Sequence, residues 1–226
     1  MKHFELTSET KMHLGRKLFR IKCTVDCKWA NKGDLGGWVE KEDNLSDSAW
    51  VSGNARVYDN ARVYDNVLVS GDARVYGNAR VSGNVLVYGN ALVYDNARVS
   101  GNARVYDSVL VYGNALVYDN VLVYGNARVY DSAWVSGNAQ VSDNARVYGN
   151  ARVYGNARVS PINITNLKYQ ATITDNHLRV GCEMHTFEEW NKFSDNSILA
   201  MEGKEALKWW KAHKPLIMGI IKENRS

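Results

Sequence analysis

Acid–base, thiolate and metal chemistry need His, Cys or clustered carboxylates, and this chain keeps the first two near its ends. The histidines are His3, His13, His177, His185 and His213, and the cysteines are Cys23, Cys27 and Cys182. Residues 51–158 contain no His, Cys, Lys or Glu. A histidine base would therefore have to come from a flank, as His177, at a predicted turn, or His185 just beyond it could. Cys23, Cys27, Cys182 and His185 offer three thiolates and an imidazole, enough for structural zinc. They divide between the two ends of the chain, so no metal site is expected. The middle of the chain is instead rich in arginine and tyrosine. Guanidinium groups hold anions, and aromatic rings stack on other rings.

Those residues fall at fixed intervals. From Val51 to Arg158 the sequence is 18 consecutive hexapeptides without insertion or deletion, of the form Val-[Tyr/Ser]-[Gly/Asp]-[Asn/Ser/Asp]-[Ala/Val]-[Arg/Leu/Trp/Gln]. Leu45–Trp50 (LSDSAW) fits as a divergent nineteenth. Within Ala-Arg-Val-Tyr, small or apolar residues alternate with long ones, which is the period-two pattern of a strand with one buried face. Gly and Asn or Asp then supply a corner that tolerates positive φ. A strand this short cannot bury its apolar side alone, so successive coils must stack and pair their backbones.

The repeat resembles that of the hexapeptide-repeat family. The resemblance implies a left-handed parallel β-helix with three hexapeptides per coil, hence about six coils. At ~4.8 Å per stacked strand these span roughly 29 Å. The expected fold class is an all-β solenoid over residues 45–160, with a β-rich N-terminal cap (1–44) and a small α+β C-terminal cap (161–226). The caps have a structural task, because an uncapped coil is an open sheet edge. In the first, KLFRIKCTV (17–25) reads as a strand after a Leu14-Gly15-Arg16 turn, and KGDLGGW (32–38) as a glycine-rich loop entering the coils. In the second, residues 169–184 read as a hairpin turning at Asp175-Asn176. Residues 186–193 and 195–214 have helical spacing, with Ser194 or Asp195 as N-cap and Pro215 as terminator. Trp190, Leu199, Leu207, Trp209, Trp210, Ile217 and Ile220 are expected in the core of that cap. The overall layout, from DLGGW to ITDNHLRVGCEMHTFEEW, resembles phage and prophage hexapeptide-repeat proteins of unassigned function.

Every third hexapeptide should share a face. The first face carries Tyr58, Tyr76, Tyr94, Tyr112, Tyr130 and Tyr148 beside Arg56, Arg74, Leu92, Leu110, Arg128 and Arg146. The second carries Arg62, Arg80, Arg98, Leu116, Trp134 and Arg152. The third carries Trp50, Leu68, Leu86, Arg104, Leu122 and Gln140. The tyrosine file has two readings: cross-strand stacking that stabilises a sheet, or a platform for a ligand ring with arginines for its phosphate. Trp50, Leu68, Leu86 and Leu122 form an outward apolar strip, which suits a subunit interface. The family resemblance implies trimers with parallel axes.

Charge excludes some classes. The net charge of +4 is spread evenly, with 9 Lys+Arg against 8 Asp+Glu in residues 1–50, 10 against 8 in 51–158 and 9 against 8 in 159–226. Nucleic acid is not an expected partner. With no signal-like or long apolar stretch, a cytoplasmic protein with free thiols and no membrane role is expected, and the phage and prophage resemblance implies a bacterial host cell. The functional expectation is a non-enzymatic binding or scaffold protein, a homotrimer without cofactor. It would capture a host protein or a nucleotide-like ligand through Arg62, Arg80, Arg98 and Arg152 and the Tyr58–Tyr148 file. The alternative, which the family resemblance implies, is an acyltransferase using a coenzyme A thioester and His177 or His185.

Overall fold

The computed structural model describes residues 2–155, 157, 162–164, 167–174 and 176–223. The close of the repeat at residues 158–160 and Asp175 of the predicted turn lie outside them. The chain divides into two compact units, Met1–Pro161 and Ile162–Ser226.

In the first unit the hexapeptides form a parallel β-solenoid of about six coils. Eighteen two-residue strands recur at every sixth residue, from Trp50–Val51 to Arg152–Val153. Each pairs with the strands 18 residues before and after it, as Arg56–Val57 does with Arg74–Val75. Three flat sheets result, and their membership is the one expected from every third repeat. The valine of each strand points inward and is fully buried, as is the Ala or Val two residues before it. Burying a valine contributes about 1.5–3 kcal/mol, so this filled bore is the main favourable term. Backbone ladders add to it. The Arg56 N–H donates to the Ala73 carbonyl, that of Tyr58 to Val75, and that of Asn60 to Gly77, at 2.9–3.1 Å, and the pattern recurs from coil to coil. At the corners, Asp and Gly adopt left-handed φ, 62° at Asp59 and 68° at Gly77.

The N-terminal segment is part of the same unit. Strands β1 (Phe4–His13) and β2 (Arg16–Cys23) form a hairpin whose turn holds Leu14 and Gly15 at positive φ. The predicted loop KGDLGGW is in fact the start of a rung. Strand β3 (Leu35–Val39) pairs antiparallel with β2 and parallel with Arg56–Val57, so Trp38 lies on Arg56 and Val39 on Val57. Two glycines are needed because this rung is squeezed. A Cβ on Gly36 would meet the Val51 carbonyl oxygen at 2.5 Å and the Trp50 ring at 2.8 Å, and one on Gly37 would meet Val51 Cγ1 at 2.6 Å. Leu45 bridges to Val63, so the divergent hexapeptide also belongs to this opening coil. The cap thus covers the solenoid's first edge by continuing its ladder.

The second unit has its own core. Strands at Ile162–Ile164, Ala171–Ile173, His177–Val180 and Glu183–Thr186 make an antiparallel sheet. Helix α1 (Phe187–Lys192) starts at a capping box, in which Thr186 accepts from the Glu189 N–H and Glu189 from the Thr186 N–H. Helix α2 (Asp195–Glu223) begins with Ser194 Oγ accepting from Ser197 N–H and breaks at Glu202–Gly203, where Gly203 has φ 78°. The predicted stop at Pro215 does not occur. Proline removes its own i→i−4 bond and crowds the i−4 carbonyl, but burial of Ile217 and Ile221 beyond it keeps the helix going. Trp190, Trp209, Trp210 and Ile217 are buried as expected and Leu207 and Ile220 partly so, but Leu199 is exposed.

Candidate anion-binding site

The outer faces differ in how far their side chains satisfy one another. On the first face the six tyrosines form one continuous stack, with ring centroids 4.9–5.2 Å apart and planes within 7° of parallel. A second stack, Tyr88–Tyr106–Tyr124, runs along the third face at 4.9 and 5.2 Å. Sequence reasoning passed over it, although reading Tyr88 forward in steps of 18 finds it. Rings whose faces are already covered by neighbouring rings have only edges to offer. Tyr58 offers less still: it is 3% exposed beneath Leu18 and Trp38, with the His13 ring against its edge. The ligand-facing role expected of Tyr58 is corrected on that ground. Burial, reinforced by its two tyrosine neighbours, pushes the Tyr94 phenol up to about 12.

The corners are also self-satisfied. Asn66, Asn84, Asn102, Asn120 and Asn138 form an amide ladder, each Nδ2 donating to the Oδ1 of the next at 2.9–3.3 Å. The aspartates accept from glycine N–H groups one coil on. Asp59 takes Gly77, Asp65 Gly83, Asp95 Gly113, Asp107 Gly125, Asp119 Gly137 and Asp131 Gly149, at 2.9–3.3 Å. In each of these pairs the neighbour is Gly, so no second carboxylate is set above the first. This Asp/Gly ordering is visible in the sequence only when it is read at an interval of 18.

Asp59 shows that an amide-bound corner carboxylate can still take an arginine, pairing with Arg16 while it accepts from Gly77. The outward arginines of the second face have no such partner among the described residues. Arg62, Arg80 and Arg98 lie on three consecutive rungs (Arg62 on Arg80, Arg80 on Arg98), a spacing of ~4.8 Å. All three are exposed, and among the described residues none has an ion pair or a side-chain hydrogen bond. Arg152 is placed differently, with its guanidinium 4.5 Å from the centroid of the Trp134 ring. The first-face arginines beside the hairpin are half-buried. Lys11, lying 4.0 Å over the Trp38 ring, is lowered to about 8 by burial and then by Arg56.

At its N-terminal end the arginine face becomes a groove. Two open hollows of about 470 and about 250 Å³ share Asp43, Arg62 and Arg80. Lys2, Leu45, Ser46, Val63 and Tyr64 complete the larger one, and Lys41, Asn60, Ala61 and Asn78 the smaller. A 3₁₀ turn, Glu42–Asn44, forms the wall. Buried Asn44 fixes it, donating to the Asp59 and Ala61 carbonyls and accepting from the Lys41 N–H. Glu42 holds Lys2 at 2.8 Å. Four cations therefore face two carboxylates, Asp43 in the lining and Glu42 on Lys2.

Residues 49–63, 55–71, 61–75, 73–89, 97–113, 123–137, 139–153 and 151–160 match the YdcK β-solenoid repeat. The coils are similar to that repeat. All the matched residues lie within the coil unit, so the match speaks to architecture. No curated protein matches the chain.

Of the expected interface strip, Trp50 is corrected: it is 2% exposed, covered by His3 and the close approach of Gly36. Leu68, Leu86 and Leu122 remain half-buried on the third face, with Arg104 between the last two. The two candidate bases point to opposite sides of their hairpin. His177 pairs with Thr186, whereas His185 pairs with buried Leu178 and packs on Trp190 and Phe193 at 5.5 and 4.8 Å. His185 Nε2 lies 3.3 Å from Glu183 and His177 Nδ1 2.6 Å from Asn176. Neither lines the small hollow of the second unit between Tyr169, Trp190, Trp209 and Trp210. Cys23 is buried and its thiol donates to the Val25 carbonyl, and Cys182 faces Glu202 at 3.2 Å. The described residues hold no cluster of three or more His, Cys, Asp or Glu able to hold a metal ion, and no described helix is long and apolar enough to cross a membrane.

Proposed function

We propose that the protein is a non-enzymatic binding or scaffold protein that captures an anionic partner on the second face of its coils. One observation carries the reading. Arg62, Arg80 and Arg98 stand on adjacent rungs, exposed and without a counter-ion among the described residues. Like charges stacked in this way destabilise a sheet, so the ladder costs stability that an anion would restore. Arg152 extends the face as a cation held over the Trp134 ring. The tyrosine file then serves as the stiffener that keeps the rungs in line.

The copies assemble as a homotrimer through the Leu68, Leu86 and Leu122 side of the third face, which leaves the arginine ladder free. The test is retention of the intact protein on phosphocellulose near physiological salt. The Arg80→Ala/Arg98→Ala variant loses retention with an unchanged melting temperature. Equal retention of the variant removes the assignment, and a monomer by sedimentation of the same preparation removes the trimer.

A further inference from the structure

The groove at the start of the arginine face has features that the open ladder lacks. We propose that it is a binding site for a short phosphate chain, two or three linked phosphoryl groups, either free or carried by a nucleoside. The proposal rests on the anion-binding reading above and narrows it to one place and one ligand class.

Four cations converge there from separate parts of the chain. Lys2 precedes β1, Lys41 precedes the 3₁₀ turn, and Arg62 and Arg80 come from successive rungs. Against them stand Asp43 in the lining and Glu42, which pairs with Lys2, leaving two cations in excess. An excess of that size selects a ligand with several negative charges close together over a single carboxylate. The shape agrees. Arg62 and Arg80 are one rung apart, ~4.8 Å, so their planar forks can each grip a different phosphoryl group of one chain. The ammonium groups add point charges on the flanks: Lys2 is steered by Glu42 at 2.8 Å, and Lys41 reaches Asn60 at 3.4 Å. The wall is fixed in advance by Asn44, which lowers the ordering cost of binding.

The larger hollow, at about 470 Å³, lies in the range of small-ligand sites. Its Tyr64 side is aromatic, next to the cations. A nucleoside attached to the phosphate chain would lie against that side. Arg98 is on the same ladder but outside both hollows, which provides an internal control.

The experiment is calorimetric titration of the intact protein with inorganic tripolyphosphate and, separately, with ATP. The expected result is saturable binding of one ligand per chain. Arg62→Ala and Arg80→Ala should each weaken it about tenfold, as loss of a charge-assisted contact does, while Arg98→Ala changes it less than about twofold. Equal affinities in the two arms assign the phosphate chain alone. Tighter ATP binding that Tyr64→Ala reduces to the tripolyphosphate level assigns a nucleoside carrier. Circular dichroism of each variant guards against misfolding, and Arg62→Glu/Arg80→Glu in the same assay should abolish binding. Absence of binding in both arms overturns the proposal, as does weakening by Arg98→Ala as large as that by Arg62→Ala. If tripolyphosphate fails while retention on phosphocellulose still depends on Arg80 and Arg98, the groove proposal falls and the broader reading stands.

Discussion

On the first face of the coils, six tyrosine rings stack at 4.9–5.2 Å and leave little of their faces open. On the second, Arg62, Arg80 and Arg98 occupy equivalent rungs and find no partner. Both faces are built from the same hexapeptide on the same backbone. A side chain that attracts its own copy ~4.8 Å away becomes part of the scaffold, and one that repels its copy is left for something else to satisfy. Asparagine amides and tyrosine rings are of the first kind and guanidinium groups of the second. Aspartate would be of the second kind too, but the glycine placed one coil on gives its carboxylate a backbone N–H to accept.

Stability should follow that division. Tyr94→Ala removes a ring stacked on both sides and should destabilise the coils by about 2–3 kcal/mol. Arg98→Ala should change stability by no more than about 0.5 kcal/mol. Denaturant titration of the two variants side by side decides the matter, and equal losses would end the distinction between the faces.

A smaller effect should come from the corners. Gly113→Asp puts a carboxylate between those of Asp95 and Asp131, at a φ of 69° that aspartate tolerates elsewhere in the coils. Repulsion from both neighbours should cost about 1–2 kcal/mol and fade as salt is added. A loss independent of salt would point to crowding, since a Cβ there lies 2.8 Å from the Asp131 amide nitrogen.

The mildest test uses pH. A free tyrosine ionises near 10, whereas Tyr94 in the stack is pushed up to about 12. Between those values the unfolded chain loses the proton first, so the contribution of Tyr94 falls as pH rises from about 10 to about 12. It is constant below that window, where Lys11, lowered to about 8, acts in the opposite sense. Ultraviolet titration of tyrosinate should show a late-ionising fraction in the native protein. A single transition at the ordinary tyrosine value would mean that the file is open to solvent.

The three faces could be read from the sequence because the period is unbroken, so arithmetic alone assigns each residue to a column. What escaped depends on contacts that the period does not encode. Val39 is in phase, 18 residues before Val57, yet Glu40–Asn44 lacks the usual corner, and Leu35–Val39 therefore read as a loop. Trp50 sits at an outward position but is buried, because a segment more than ten residues earlier in the sequence folds over it. The groove escaped for a similar reason. Arg62 and Arg80 were visible as a pair, but Lys2, Lys41 and Asp43 reach them only through the folded N-terminal segment. In the second unit, helix periodicity located the tryptophans, whereas Pro215 suggested a stop that apolar burial overrides.

The pairing of every rung with the one 18 residues away also limits how the gene can change length. Adding or deleting a single hexapeptide would turn everything downstream by one side of the triangle, breaking the rows of rings and amides and bringing acids over acids. Whole turns can be gained or lost with every column intact. Natural length variants should therefore differ by multiples of three hexapeptides, a rule that lineage comparison can check without purifying anything.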